Sequence, residues 1–119
     1  MPITIYGIKN CETMKKARAW LDKRGIVYSF HDYKVAGIDR GRLEQWCKKA
    51  GWETLLNRNG TTFRKLPDED KHSLDAEKAV ALMLKQPSMI KRPVLEAGGG
   101  KLLVGFKPEL YSGALAVRT

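Results

Sequence analysis

The sequence predicts an α/β domain: a βαβ unit, then a helical middle, then a β-hairpin and a short helix. Three observations carry this. A β-branched and aromatic run, Ile3-Thr4-Ile5-Tyr6, is separated by a segment of helical periodicity from an alternating segment, Ile26 to Tyr33. The middle repeats apolar residues at helical spacing. Near the end, Pro93-Val94-Leu95-Glu96 and Leu102-Leu103-Val104-Gly105 flank Ala97-Gly98-Gly99-Gly100-Lys101, a composition suited to a hairpin turn.

Each element has a local cause. Ile3 to Tyr6 is the first strand, and Gly7-Ile8-Lys9-Asn10 turns the chain. From Glu12 to Arg24 the residues Met14, Ala17 and Leu21 share one helical face, while Lys15, Lys16, Asp22 and Lys23 lie elsewhere. Lys23-Arg24 before Gly25 is a stop signal: cations at the negative end of the helix, then a residue that accepts the left-handed conformation. Strand, helix, strand within about thirty residues is a βαβ unit and implies parallel strands. Asp39 caps a helix with Leu43, Trp46, Cys47 and Ala50 at i, i+3, i+4 and i+7, ended by Gly51. Trp52 to Asn59 predicts another short helix, closed by Asn59-Gly60. Pro67-Asp68-Glu69-Asp70 opens a polar segment. Ser73 is placed to cap a helix running to about Gln86, with Ala76, Ala79, Val80 and Met83 inward. Pro87 stops it, and Lys107-Pro108-Glu109-Leu110-Tyr111 starts a final helical turn.

The chain has 119 residues, which at about 100–200 residues per domain predicts a single domain, 1–119. Hydrophobic residues make up 43% and charged residues 29%, so a packed core is affordable and general disorder is excluded. No apolar run approaches the ~20 residues needed to span a bilayer. The first residues lack a basic segment followed by an apolar one, so no signal peptide is expected and a cytoplasmic location is. With 22 basic and 13 acidic residues the net charge is +9, which favours anionic partners. The cations are spread along the chain without a basic block, a pattern more typical of a solvated surface than of a nucleic-acid footprint. Non-specific nucleic-acid binding ranks last, because no aromatic platform stands beside the lysines.

Two cysteines, Cys11 and Cys47, and two histidines, His31 and His72, exclude a disulfide framework and leave no metal-ligand spacing, so no metal is expected. Cys11 stands where the first strand hands over to the first helix. Unpaired N–H groups and the positive helix end stabilise a thiolate there, with Lys9, Lys15, Lys16 and the Thr13 hydroxyl nearby. A reactive thiol of lowered pKa is therefore expected. Cys47, among Leu43, Trp46 and Ala50, is expected to be an inert core residue. His31 is read as a cross-strand packing or surface residue, and His72 as exposed. Arg58 and Arg92 are candidate anion binders, each with a solvated alternative, and Pro93 can be cis. Gly98-Gly99-Gly100-Lys101 has the look of a phosphate loop, but a strand follows where that loop requires a helix.

Taken together, Ile3-Thr4-Ile5-Tyr6-Gly7-Ile8-Lys9-Asn10-Cys11-Glu12-Thr13-Met14-Lys15-Lys16-Ala17 resembles the N-terminal signature of the arsenate reductase (ArsC)-like family. Leu55-Leu56-Asn57-Arg58 resembles its short arginine-bearing helix, and Met89-Ile90-Lys91-Arg92-Pro93-Val94-Leu95 its arginine and cis-proline stretch. Gly105-Phe106-Lys107-Pro108-Glu109 resembles its last anion-site loop. The resemblance covers essentially the whole chain and is closest to the YffB-type subgroup, which is related to Spx.

The resemblance implies a thioredoxin-like fold, a mixed four-stranded sheet with a helical insertion between its two β segments. It makes Cys11 the nucleophile, Arg58 and Arg92 anion or thiol-substrate binders, and Pro93 a cis-proline. Lys9, Asn10, Thr13, Lys15 and Lys107 complete the candidate binding residues. It implies a glutathione-dependent thiol reductase without a bound cofactor, glutathione being a co-substrate beside a thiol, disulfide or oxyanion substrate. Position 14, where Spx-type relatives carry a second cysteine, is Met14. Position 107, where arsenate reductases carry arginine, is Lys107. The first departure points to one-thiol chemistry and the second to weak or absent arsenate reduction. Arsenate reduction and, from another class, Spx-type binding of RNA polymerase are the alternatives.

Overall fold

The computed structural model describes residues 3–72, 74–97 and 100–115, which form two compact units. The first comprises the chain up to Asp32 and again from Arg92; the second is the intervening segment, Tyr33–Lys91.

In the first unit, β1 (Thr4–Gly7), α1 (Glu12–Lys23) and β2 (Ser29–Asp32) are followed, after the insertion, by β3 (Val94–Ala97), β4 (Lys101–Val104) and α8 (Pro108–Leu115). The sheet order is β2-β1-β3-β4: β1 runs parallel to β2 and antiparallel to β3, and β3 is antiparallel to β4. This is the mixed four-stranded sheet that the resemblance implies. Ile5, opposite Leu95, joins Met14, Ala17, Trp20, Leu21 and Tyr111 in one core, so α1 and α8 cover that face of the sheet. On the other face the Tyr6 hydroxyl donates to Glu96 Oε1 at 2.7 Å, and its ring lies 4.9 Å from that of His31, its partner in register on β2.

Helix α1 ends as its sequence directs. Gly25 has φ +68°, its N–H donates to the Asp22 carbonyl, and the Ile26 N–H reaches back to Leu21, the double-bonded Schellman closure. The bounds of all four strands depart from expectation. Gly7 ends β1 instead of opening the turn. The second strand is shorter than Ile26 to Tyr33, because Tyr33 already begins a helical turn and Val27 is exposed. The third strand takes in Ala97, and the fourth begins at Lys101 and ends at Val104. Gly98 and Gly99 of the glycine-rich connection lie outside the described residues.

The second unit contains α2 (Tyr33–Ala36), α3 (Arg40–Ala50), α4 (Trp52–Leu55), α5 (Thr61–Arg64), α6 (Asp68–Lys71), α7 (Ala76–Lys85) and a 3-10 turn at Pro87–Met89. Leu43 and Trp46 of α3, Leu55 of α4, and Ala79, Val80 and Met83 of α7 are buried, with α3, α4 and α7 mutually in contact. Asp39 caps α3 as predicted, its carboxylate accepting the Arg42 N–H at 3.1 Å. The cap of α7 is Asp75, accepting from Lys78 N–H at 2.8 Å; Ser73, the expected cap, lies outside the described residues. The helix expected to reach Asn59 stops at Leu55. Leu56 instead forms an antiparallel bridge with Ile90, flanked by Asn57 N–H to Met89 O at 2.7 Å and Lys91 N–H to Leu55 O at 2.8 Å. Pairing with a distant segment satisfies these backbone groups better than one more frayed helical turn.

Candidate active site

Cys11 follows the exposed turn residues Lys9 and Asn10 and is the N-cap of α1, with an extended backbone (φ −122°, ψ 129°). Its carbonyl accepts the first helical bond from Lys15 N–H at 2.9 Å. The side chain is partly exposed and lies against the core of the sheet unit. Capping geometry places the amides of the second and third helical residues, Thr13 and Met14, beside an N-cap side chain. The neutral sulfur forms no full capping hydrogen bond. Burial is the largest single influence on the thiol and pushes its pKa up. The N–H groups of Met14 and Thr13, together with the charge and hydrogen bonding of the Arg92 guanidinium, outweigh it, and the pKa falls below the ordinary thiol value.

The lowered pKa is as expected, but the charge acting on the sulfur comes from Arg92 and not from the neighbouring lysines. Lys15 lies 3.7 Å from Glu12 Oε1, and Lys9 and Lys16 are exposed. Thr13 acts through its backbone N–H and not its hydroxyl.

Arg92 is delivered by the sheet. The Arg92–Pro93 peptide is cis, and Pro93 is buried directly before β3, the central partner of β1. The Gly105 N–H donates to the Pro93 carbonyl at 2.8 Å. Gly105 has φ +83°, which a side chain rarely tolerates, so glycine permits this return. The segment after β4 is thereby tied to Pro93. Phe106 stacks edge-on against Tyr111 at 5.0 Å, and exposed Lys107 opens α8, its carbonyl accepting from Leu110 and Tyr111.

Arg58 belongs to the helical unit. It is exposed in a turn after the Leu56–Ile90 bridge, not at a helix end, with its guanidinium 5.2 Å from the centre of the Trp52 ring. With Glu53, Leu56, Asn59 and Lys91 it lines a surface cavity of about 390 Å³.

Cys47 is not in the core as expected; it is half-buried on α3. It lines a cavity of about 310 Å³ with Trp52 and Val80, and burial, then the Glu44 carboxylate, push its thiol pKa up. The two thiols are thus tuned in opposite directions. Replacing Cys47 with Ala is expected to leave thiol chemistry within about twofold and to cost about 1 kcal/mol or less. Rate assays and a denaturation curve check this; inactivation of a well-folded variant would restore a resolving role to Cys47. Among the described residues no group of three or more His, Cys, Asp or Glu is placed to hold a metal, and no helix is long and apolar enough to cross a membrane.

Two contributors escaped the sequence reading: the Met14 N–H and the Gly105 turn. The first could have been found by counting along from the N-cap. The second depends on where the Pro93 carbonyl lies, and no local signal gives that.

Comparison with known proteins agrees with this architecture. A YffB protein of solved structure is 62% identical, with a TM-score of 0.92 over 95% of this chain and 98% of its own. The solution structure of an arsenate reductase (ArsC) related protein from Brucella melitensis is 58% identical, with a TM-score of 0.76 over 98% of this chain and 97% of its own. The global transcriptional regulator Spx of Streptococcus mutans is 26% identical over 109 residues, 90% of this chain and 78% of the relative. The model of the ArsC family matches residues 6–114, from β1 through α8, and the chain therefore belongs to the ArsC family.

Proposed function

We propose that the protein is a one-thiol, glutathione-linked thiol reductase with Cys11 as its nucleophile, acting in the reducing cytoplasm. The observation that carries the reading is the single cysteine at the N-cap of α1, held toward the thiolate by two helix amides and Arg92. Membership of the ArsC family supports thiol-based oxidoreductase chemistry. Position 14 is a buried methionine, so no second thiol in the same turn resolves an adduct.

The reaction balances with glutathione alone. The Cys11 thiolate attacks the glutathione sulfur of a mixed disulfide RS–SG, forming Cys11–S–SG and expelling RS⁻, which takes a proton from solvent. A glutathione thiolate then attacks the adduct at the glutathione sulfur, releasing GSSG and regenerating the Cys11 thiolate. Overall, RS–SG and one glutathione thiol give RSH and GSSG. The substrate sulfur is reduced to a thiol while the incoming glutathione sulfur takes its place in the disulfide, the proton lost by glutathione matching the one gained by RS⁻. Lys9, Asn10, Thr13 and Lys15 flank the sulfur in sequence and would meet an anionic substrate, while Arg92 stabilises the leaving thiolate form of Cys11 after each cycle.

Mass spectrometry after exposure to oxidised glutathione tests the reading. One glutathione on Cys11 and none on Cys47 is expected; equal modification of both would remove its basis.

The same reading includes weak or absent arsenate reduction. An ammonium at position 107 keeps the charge of an arginine but not the planar fork that grips two oxygens at once. Glutathione-linked thiol turnover is expected to exceed arsenate turnover, and Lys107→Arg to raise the latter about three- to tenfold. Robust arsenate turnover by the unaltered protein, unimproved by arginine, would show that this position does not limit the reaction.

A further inference from the structure

Met14 does more than contribute an amide. Its side chain is fully buried in the core of the sheet unit. Helical side chains tilt toward the N-terminus, which carries the thioether back across the end of β1. It lies so close to Gly7 that a methyl group on the Gly7 Cα would overlap the Met14 sulfur, with Cε at 2.8 Å. Gly7 does not have a positive φ, so its lack of a side chain answers to this contact and not to backbone conformation. The end of the Met14 side chain therefore fills the space over the last residue of β1 that a Cβ at Gly7 would occupy. The same turn carries the Thr13 and Met14 N–H groups.

We infer that the Met14 thioether, locked against Gly7, is the positioning device that aims the first-turn amides of α1 at the Cys11 sulfur. The pair acts on the reacting atom only through the helix backbone, so Met14 and Gly7 are positioning residues and not catalytic ones. The device also assigns position 14 a task that a shorter side chain fills poorly. A truncated residue leaves the space over Gly7 empty, and close-packed interiors respond by letting the helix end shift. The inference rests on the reading of Cys11 as the nucleophile.

The test is the pH dependence of Cys11 alkylation by iodoacetamide, beside thermal unfolding of each variant. In Met14→Ala, and in Gly7→Ala where the new methyl displaces the thioether, the midpoint should rise by about one pH unit. Met14→Leu, which refills the space, should keep the wild-type midpoint. Leu21→Val, which loosens the same core two turns along α1, should lower thermal stability without moving it. If Met14→Ala does not fold, Met14→Val carries the same expectation. An unchanged midpoint in folded Met14→Ala or Met14→Val, or an equal rise in Leu21→Val, would overturn the positioning role while leaving the nucleophile in place. An ordinary midpoint in the wild-type protein would instead overturn the reading of Cys11 itself.

Discussion

Replacing Cys11 with Ser is expected to lower glutathione-linked thiol transfer by about a thousandfold or more, to the background rate of glutathione alone. A serine hydroxyl is not ionised at neutral pH and forms no disulfide, so both halves of the cycle are lost. Stability should change by only about 0.5–1 kcal/mol, because the side chain is partly exposed at the end of a turn. Serine is moreover a favoured N-cap, and its hydroxyl can accept the amides that now face the sulfur. Turnover of a mixed disulfide of glutathione, beside a denaturation curve, separates chemistry from folding. A folded Cys11→Ser protein that still turned over at a tenth of the wild-type rate would exclude Cys11 as the nucleophile.

Arg92→Ala should act on the titration of the thiol. Its guanidinium favours the charged sulfur by Coulomb attraction and by a donated hydrogen bond, so its removal leaves burial opposed by the two amides alone. The alkylation midpoint is expected to rise by about one pH unit. The net fall in rate at neutral pH should be smaller than the fall in thiolate, because a more basic thiolate is intrinsically more nucleophilic. Arg92→Lys should lie between, keeping charge but not the planar donor set. The folded pKa of Cys11 lies below that of the unfolded thiol. The thiolate's interactions therefore stabilise the fold fully above the unfolded value, and that contribution disappears as pH falls through the folded one. The stability difference between wild type and Arg92→Ala that arises from the thiolate should shrink over the same interval. A difference that persisted unchanged in acid would assign Arg92 a packing role only.

Features with local causes were legible in the sequence. Gly25 after two cations ended α1, Asp39 capped α3, and the β-branched and aromatic run Ile3-Thr4-Ile5-Tyr6 marked the first strand. Cys11 was legible as an N-cap thiol for the same reason. What the sequence concealed was set by distant pairing. Leu55-Leu56-Asn57-Arg58 carries a helical pattern, yet Ile90 takes Leu56 into a bridge. The one-turn helices α2, α5 and α6 are too short to express a period. The partner of Cys11 was concealed likewise. Neighbouring lysines were the natural source of charge, whereas Arg92 reaches the thiol because β3 pairs with β1, and no property of residues 9 to 16 reveals that.

That pairing sets when the thiol becomes active. Cys11 and Arg92 lie on either side of the whole helical insertion, and an emerging or unfolded chain holds them apart. Joining β1 to β3 requires closing the long loop between them, an entropic cost met only late, when the sheet and both segments of the first unit come together. Until then Cys11 lacks the Arg92 guanidinium, so its thiolate is less favoured than in the fold and it cross-links more slowly with other nascent chains. Activation is thereby deferred to the completed fold. A brief pulse of alkylating reagent during refolding would report this directly, labelling at Cys11 accelerating as the β1–β3 ladder closes.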